Sequence, residues 1–318
     1  MTPEGKTQIG DFIKSQTAGL SGDVAAIRRA KNALSAPLNN VGATESFRRE
    51  YGLQLLPVVT PLVGSAKEEI AINALRLAGL MGTKAGMDLA MKGLDDKRQS
   101  VRVMAAMSVG LSLSTGRAKD RTALSPRNAT DGLIALNEKM VAEQDPRVLD
   151  AMVLALDAAT KVKQDDLADV RTKATVLLLA GTKRIAEQQN VPALDMALSH
   201  AVKAIGEAML ETGADKLPDA SVKEAACVAG DVVGAVQRRL DASPTEAERS
   251  ALGLIAQQCE RIVQQAATAL GSKAPVYNFD DLIHESKDAE FKAAAQRLYH
   301  DLAGDPFGCK PTDRYPKP

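Results

Sequence analysis

The sequence has no tryptophan, and aromatic residues make up only 3% of its 318 residues. Its cysteines are few and odd in number: Cys227, Cys259 and Cys309 are widely spaced and form no C-x-x-C pair. This spacing argues against a disulfide framework or a cysteine-based metal site. We therefore predict three free thiols, two in helix cores and one in the tail, a usage that favours a reducing compartment.

The sequence also has no excess of either charge, because 40 Lys and Arg residues balance 40 Asp and Glu residues. A protein that coats nucleic acid normally carries a basic excess. No apolar run approaches the roughly 20 residues of a membrane-spanning helix, and the N-terminus does not show the basic-then-apolar order of a signal peptide. We expect a cytoplasmic protein; the alternative is an exported protein whose signal peptide has been removed.

Catalytic motifs are missing as well. There is no G-x-x-x-x-G-K-[ST] phosphate loop, no G-x-G-x-x-G and no G-x-S-x-G nucleophile elbow. The three histidines, His200, His284 and His300, do not have the spacing of metal ligands. We predict no catalytic residue, no cofactor and no metal, and we expect that the protein is not an enzyme.

What the sequence does have is a short helical pattern that occurs twice between Ser65 and Leu111. In each copy the apolar residues recur at helical spacing. A shift of 31 positions aligns the copies and pairs Ile70 with Val101, Ala74 with Ala105, Gly79 with Gly110, and Leu80 with Leu111. A self-match at this period is typical of stacked helical repeats.

A weaker third copy begins at Asp145, which is placed as a helix N-cap before Pro146 at the first helical position. Together the copies resemble the HEAT-repeat family of helical solenoids, whose inner helices commonly open with a D-x-x-V-R-like run. The matching residues are Asp95, Asp96, Val101, Arg102, Ala105, Ala106, Gly110, Asp145, Pro146 and Val148. The resemblance covers about residues 44–160 and departs from the family pattern at Leu149 and Asp157.

The resemblance implies an all-α fold built as an α-α superhelix. After it, apolar stripes at helical spacing predict that the superhelix continues into longer antiparallel helical hairpins. Within it, the first 20 residues are expected to be irregular. Whether the long hairpins continue the superhelix or form a separate four-helix bundle stays open, and the tail either lies along the stack or docks to a partner. We predict four regions: an N-terminal capping segment over 1–43, HEAT-like repeats over 44–163, long-helix hairpins over 164–272, and an aromatic cap helix with a proline-rich tail over 273–318.

This architecture predicts a non-enzymatic scaffold that binds a protein or peptide along the concave face of the repeats. Arg76 and Arg102 lie near corresponding places in neighbouring repeats, and the basic loop after the second copy adds further candidate contacts: Arg117, Lys119, Arg121 and Arg127. The alternative is that the loop over 117–127 binds nucleic acid or a phosphate ligand together with N-terminal arginines: Arg28, Arg29, Arg48 and Arg49. A third hypothesis is an enzyme or lyase built on a repeat scaffold.

Overall fold

A computed structural model describes residues 1–40, 42–114, 123–162, 165–188, 191–211 and 216–309 of the chain. Within these ranges the regular elements are all helices, and no strand is present, so the prediction of an all-α fold is confirmed. The α-helices are α1 Pro3–Thr17, α2 Val24–Asn39, α3 Glu45–Val63, α4 Glu68–Met81, α5 Lys84–Gly93, α6 Gln99–Ser114, α7 Pro126–Ala142, α8 Pro146–Thr160, α9 Ala168–Glu187, α10 Asp195–Met209, α11 Asp219–Asp241, α12 Glu246–Ala269, α13 Phe279–His284 and α14 Asp288–Ala303.

The chain divides into two compact units, Met1–Ala174 and Thr175–Pro318. The division falls within α9, whereas the sequence analysis places the change from repeats to long helices at 163/164. Each unit has its own buried apolar core.

The first unit stacks its helices in two layers. We call α2, α4, α6 and α8 the even layer, because each packs against the next. In the odd layer, α1, α3, α5 and α7 likewise pack each against the next. Most helices adjacent in sequence, from α3 and α4 to α7 and α8, pack across the two layers. This is the arrangement of an α-solenoid. The helices α1 and α2, from the segment predicted as a separate cap, continue these two layers.

The three copies of the sequence pattern are α4, α6 and α8, which are neighbours in the even layer. Their small residues set the spacing of the layer: Gly79 lies against Ser108, and Gly110 lies against Ala155. Ser108 and Ala155 occupy the same position in their own copies, so one contact is repeated from helix to helix. The third copy has Asp157 at the glycine position, and there the run of glycine contacts ends.

The expectation that the first 20 residues are irregular is wrong, because α1 occupies most of them. Its start is capped by the Thr2 hydroxyl, which accepts a hydrogen bond from the Gly5 N–H at 3.2 Å. Ile9 and Ile13, one helical turn apart, are both buried in the unit. Two apolar anchors are too few for a periodic signal, which is why the helix is not evident from sequence.

The second unit is built on the long helices α11 and α12, with α10, α13 and α14 packed against them. Arg239 near the end of α11 joins three of these helices. Its guanidinium pairs with Asp195 of α10 at 3.3 Å and with Glu248 of α12 at 3.1 Å. Arg239 is buried, and a buried charge of this kind depends on its ionic partners.

Aromatic residues cluster at the C-terminal side of the second unit. The Phe279 ring lies 5.2 Å from the Tyr277 ring and 5.3 Å from the Phe291 ring, centroid to centroid. The buried carboxylate of Glu260 holds this segment by accepting three backbone hydrogen bonds, at 2.7 Å from Tyr277, 3.2 Å from Asn278 and 3.1 Å from Phe279. Asn278 has a positive φ of 57°, so successive N–H groups converge on the anion.

Cys227 of α11 and Cys309 are joined by a disulfide, with their Cα atoms 5.7 Å apart. The prediction of three free thiols is therefore wrong, and Cys259 alone of the three cysteines is free. It is fully buried, and burial raises the pKa of its thiol well above the ordinary value. The chain beyond Cys309, which is most of the proline-rich tail, lies outside the described residues.

Candidate interaction surface

The even layer packs against the odd layer on one side and presents its other side to solvent. Arg76 of α4, Met107 of α6 and Leu154 of α8 occupy the same position in the three repeat copies, and all three side chains are exposed, Met107 by 44% and Leu154 by 38%. Half-buried aliphatic residues lie one turn from them: Ile72, Val103, Leu111 and Ala158. We call these seven residues the even-layer face.

A group of three cations adjoins this face where α2 packs against α4. Burial, together with the positive charges of Arg76 and Arg28, lowers the pKa of Lys31 below its ordinary value. We call Arg28, Lys31 and Arg76 the cationic cluster. The Lys31 ammonium donates a hydrogen bond to the Asn32 side chain at 2.6 Å. Among the described residues no carboxylate forms an ion pair with any of the three cations.

The charge of this side of the layer changes from one end to the other. The cationic cluster lies on α2 and α4, and the aliphatic residues of the face dominate α6 and α8. Carboxylates on the same side, Glu69 of α4 and Asp150 of α8, lie closer to the N-terminal ends of their helices. Apart from these two carboxylates, the surface carries cations on α2 and α4 and exposed apolar side chains on α6 and α8.

The structure separates Arg76 from Arg102, which the sequence analysis places at corresponding positions. The residue of α4 that corresponds to Arg102 is the buried Ala71, not Arg76. The Arg102 guanidinium is mostly buried and pairs with Glu143 at 2.9 Å. It also donates a hydrogen bond to the Asp96 carbonyl at 3.1 Å. Arg102 therefore connects the loops before α6 and α8, and its donors are engaged within the fold.

Neighbouring residues form similar ties at the N-terminal edge of the even layer. Arg98 binds both oxygens of Asp96 and reaches the Ser65 carbonyl, before α4, at 2.8 Å. Its hydrogen bonds hold the pKa of the Asp96 carboxyl below the ordinary value. The Gln99 amide donates to both oxygens of Asp145, the N-cap of α8, at 2.8 and 2.7 Å. These polar groups join one repeat to the next.

The remaining predicted contact residues belong to the basic loop. Arg117, Lys119 and Arg121 lie outside the described residues. Arg127 is at the start of α7, in the odd layer, with 91% of its side chain exposed and its guanidinium 3.8 Å from Asp131. Arg127 is therefore not part of the even-layer face.

Two of the four N-terminal arginines proposed for nucleic-acid binding lie on α3. The guanidinium groups of both are engaged by partners within the fold. Arg48 is buried and donates to the carbonyl of Leu38 at 2.6 Å and to that of Leu80 at 3.2 Å. It thereby ties the end of α2 to the end of α4. Arg49 is exposed but pairs with Glu45 at 2.5 Å. Arg48 cannot contribute to the expected surface patch, because its guanidinium is enclosed.

A cleft of about 650 Å³ lies in the second unit beside the C-terminal ends of α12 and α14. Its polar lining includes Lys273, His300, Asp301 and Asp305. Asp301 accepts a hydrogen bond from the Tyr277 hydroxyl at 2.7 Å and so takes part in the aromatic cluster. In the described residues no three His, Cys, Asp or Glu side chains are close enough to share a metal ion. No described helix is both long and apolar enough to cross a membrane.

Sequence analysis missed the aliphatic part of the even-layer face. Met107 and Leu154 belong to helices whose sequences are apolar on more than one side, so periodicity alone does not say which apolar residues are buried. The signal is present in the repeat alignment, because the 31-residue shift that pairs Gly79 with Gly110 also pairs Arg76 with Met107.

No protein-family model matches the chain, and no curated protein sequence matches it. Solved structures that the chain resembles include engineered proteins. One, described as an engineered protein, is 15% identical with a TM-score of 0.45 and covers 84% of this chain and 98% of its own. Another, described as computationally designed armadillo repeat proteins for modular peptide recognition, is 13% identical with a TM-score of 0.39 and covers 79% of this chain and 98% of its own. At these values the likeness assigns neither a family nor a function.

Proposed function

We propose that the protein is a non-enzymatic, HEAT-like helical-repeat scaffold that binds a protein or peptide on the even-layer face. The observation that carries this proposal is the repetition of exposed side chains in three successive helices, at Arg76, Met107 and Leu154. Two of the three, Met107 and Leu154, are apolar; exposed apolar residues cost free energy in water, and apolar patches commonly mark interaction sites. Met107 adds an unbranched side chain that adapts to partners of different shape.

Two carboxyls with lowered pKa values have a structural role rather than a catalytic one. Asp96 and Asp288 are bound by arginines that connect helices, and hydrogen bonds from these arginines lower the pKa of both carboxyls. A catalytic pair needs titratable groups that converge on a space where a substrate fits. Asp96 instead serves the packing of the repeats, and Asp288 joins α14 to α12 in the second unit.

The experiment is a selection of displayed random peptides against the intact chain. Peptides of about twelve residues suffice, because the face spans two helix spacings of roughly 10 Å each and an extended residue covers about 3.3 Å. Selected peptides are then measured by fluorescence anisotropy on the wild type and on the Met107→Asp, Leu154→Asp double variant. We expect at least a tenfold loss of affinity, because a carboxylate at the centre of an apolar contact must be desolvated.

The matched control is Leu53→Asp, since Leu53 is a 69% exposed leucine on α3 of the odd layer. This variant keeps full affinity if the even-layer face is the site. Equal affinity of wild type and double variant, with circular dichroism showing both folded, overturns the proposal. So does the absence of any peptide enriched above the blocked support.

For the compartment we favour the exported alternative, and the support is the Cys227–Cys309 disulfide. Structural disulfides persist mainly in oxidising compartments. Protein isolated from its native source distinguishes the two cases when it is denatured and then alkylated before any reduction. Protein from an oxidising compartment keeps two of its three cysteines unmodified. Protein from a reducing compartment is modified at all three.

A further inference from the structure

The cationic cluster and the aliphatic part of the even-layer face lie on successive helices of the even layer, and their chemistry changes in order along it. Arg28 and Lys31 lie on α2, Arg76 on α4, Met107 on α6 and Leu154 on α8, and these helices pack in that order. The cations lack a carboxylate partner among the described residues. Like charges held together raise the electrostatic free energy of the surface, and an anionic partner relieves it.

We propose that the segment bound by this face is acidic at one end and aliphatic at the other, with carboxylates on Arg28, Lys31 and Arg76 and apolar side chains on Met107 and Leu154. This inference rests on the proposed function and adds the chemistry and polarity of the partner to it. Packed helices lie about 8–10 Å apart, and an extended chain advances about 3.3 Å per residue. The aliphatic side chains therefore follow the carboxylate at steps of about three residues.

The surface suits a peptide better than a nucleic acid. Single-stranded nucleic acids bind through a basic groove and through aromatic rings on which bases stack. On the next helices of the layer, α6 and α8, the exposed residues of the face are Met107 and Leu154, with half-buried aliphatic side chains one turn away. These side chains can contact aliphatic side chains of a peptide. They provide no aromatic ring on which a base could stack and no positive charge that could bind another phosphate.

The test compares the composition of peptides that a random library yields on the wild type and on Arg76→Glu. On the wild type we expect enrichment of Asp and Glu, with Leu, Ile or Met about three and six residues away. On Arg76→Glu the acidic enrichment disappears, and wild-type peptides bind at least tenfold more weakly. Arg127→Glu is the matched control, since Arg127 is a more exposed arginine on the odd layer, and it leaves both enrichment and affinity unchanged.

The outcomes separate this inference from the function on which it rests. Peptides that need Met107 and Leu154 but carry no acidic residue and ignore Arg76→Glu overturn the inference and leave the scaffold in place. Peptides that ignore both substitutions overturn both. A fluorescent single-stranded oligonucleotide that binds the wild type and displaces the selected peptides overturns the inference in favour of nucleic acid. Acid-rich peptides whose affinity falls with added salt, and falls less on Arg76→Glu, support it.

Discussion

Gly79 of α4 lies directly against the backbone of Ser108 on α6. A β-carbon on Gly79 would stand 2.5 Å from the Ser108 carbonyl oxygen and 2.8 Å from its Cα. Both distances are far below van der Waals contact, so the two helices approach this closely only because the residue is glycine. Gly79, one of the positions by which the repeat copies are aligned, is therefore also a point of close contact between α4 and α6.

Replacement of Gly79 by alanine should destabilise the protein. Alanine is the better helix former by about 1 kcal/mol, but the clash is with backbone atoms of Ser108 that no side-chain rotation can move. We expect a net loss of about 1–2 kcal/mol in the free energy of unfolding, measured by urea denaturation. Gly64→Ala is the control, because nothing lies within 4 Å of its β-carbon position. A loss as large for Gly64→Ala would contradict the packing argument.

Arg48 and Arg49 are adjacent in sequence, but substitution of Arg48 should cost far more stability than substitution of Arg49. Arg48→Met keeps the buried aliphatic stem but leaves the Leu38 and Leu80 carbonyls without their donor. We expect it to lower the free energy of unfolding by about 2–4 kcal/mol. Arg49→Met removes only an exposed pair with Glu45 and should cost less than about 0.5 kcal/mol. The melting temperatures of the two variants measure the difference. Equal melting temperatures would contradict the role of Arg48 in joining α2 to α4.

Much of the first unit follows from sequence because its information is local and repeated. Periodicity and the glycine-to-glycine match place α4, α6 and α8 and their order. The role of Arg48 does not follow from sequence. A charged residue in a helix is expected to be exposed, and only the packing of the α2 and α4 ends shows that Arg48 is enclosed. Its acceptors, Leu38 and Leu80, lie 10 and 32 residues away.

The candidate site was predictable only in part for a related reason. Arg76 is an evident surface residue of α4, whereas Lys31 becomes its neighbour only through the packing of α2 on α4. The pairing of Cys227 with Cys309 spans 82 residues and depends on how the chain returns after α14. An odd cysteine count gave no indication of it. Contacts between residues so far apart in sequence produce no periodic pattern from which they could be predicted.

The thiol content of the oxidised protein should be one per chain. Cys259 is buried and the other two cysteines are bonded, so we expect no reaction with a thiol reagent in the native state and one equivalent after denaturation without reductant. Reductant should raise this to three equivalents. Three equivalents before reduction, from protein prepared under oxidising conditions, would show that the disulfide does not form.

Loss of this disulfide should also lower stability. A bond that closes a loop of this length typically contributes about 2–4 kcal/mol, largely by restricting the unfolded chain. The Cys227→Ser, Cys309→Ser double variant should therefore unfold at lower urea concentration than the wild type. The control is the wild type with reductant, which should resemble the double variant. Identical midpoints for oxidised and reduced wild type would exclude a stabilising role.

The pair between Arg249 and Asp288 should make part of the stability depend on pH in the acid range. The Arg249 guanidinium binds both oxygens of Asp288, at 2.6 and 3.1 Å, and joins α12 to α14. Hydrogen bonds from Arg249 hold the pKa of the Asp288 carboxyl below its ordinary value, against the opposing effect of burial. A carboxyl with a lowered folded-state pKa binds fewer protons when folded, so its contribution is complete above the unfolded value of about 3.9 and is lost as the pH falls through the folded value.

Asp288→Asn should therefore be less stable than the wild type at neutral pH, and the difference should shrink below about pH 4. Because 39% of the Asp288 side chain is exposed, solvent screening keeps the neutral-pH difference below about 1 kcal/mol. Asp219→Asn is the control: Asp219 also lies in the first turn of a helix, α11, but has no arginine partner among the described residues. Urea midpoints of the three proteins across the acid range measure the effect. A wild-type advantage over Asp288→Asn that grows as the pH falls would contradict the sign of this linkage.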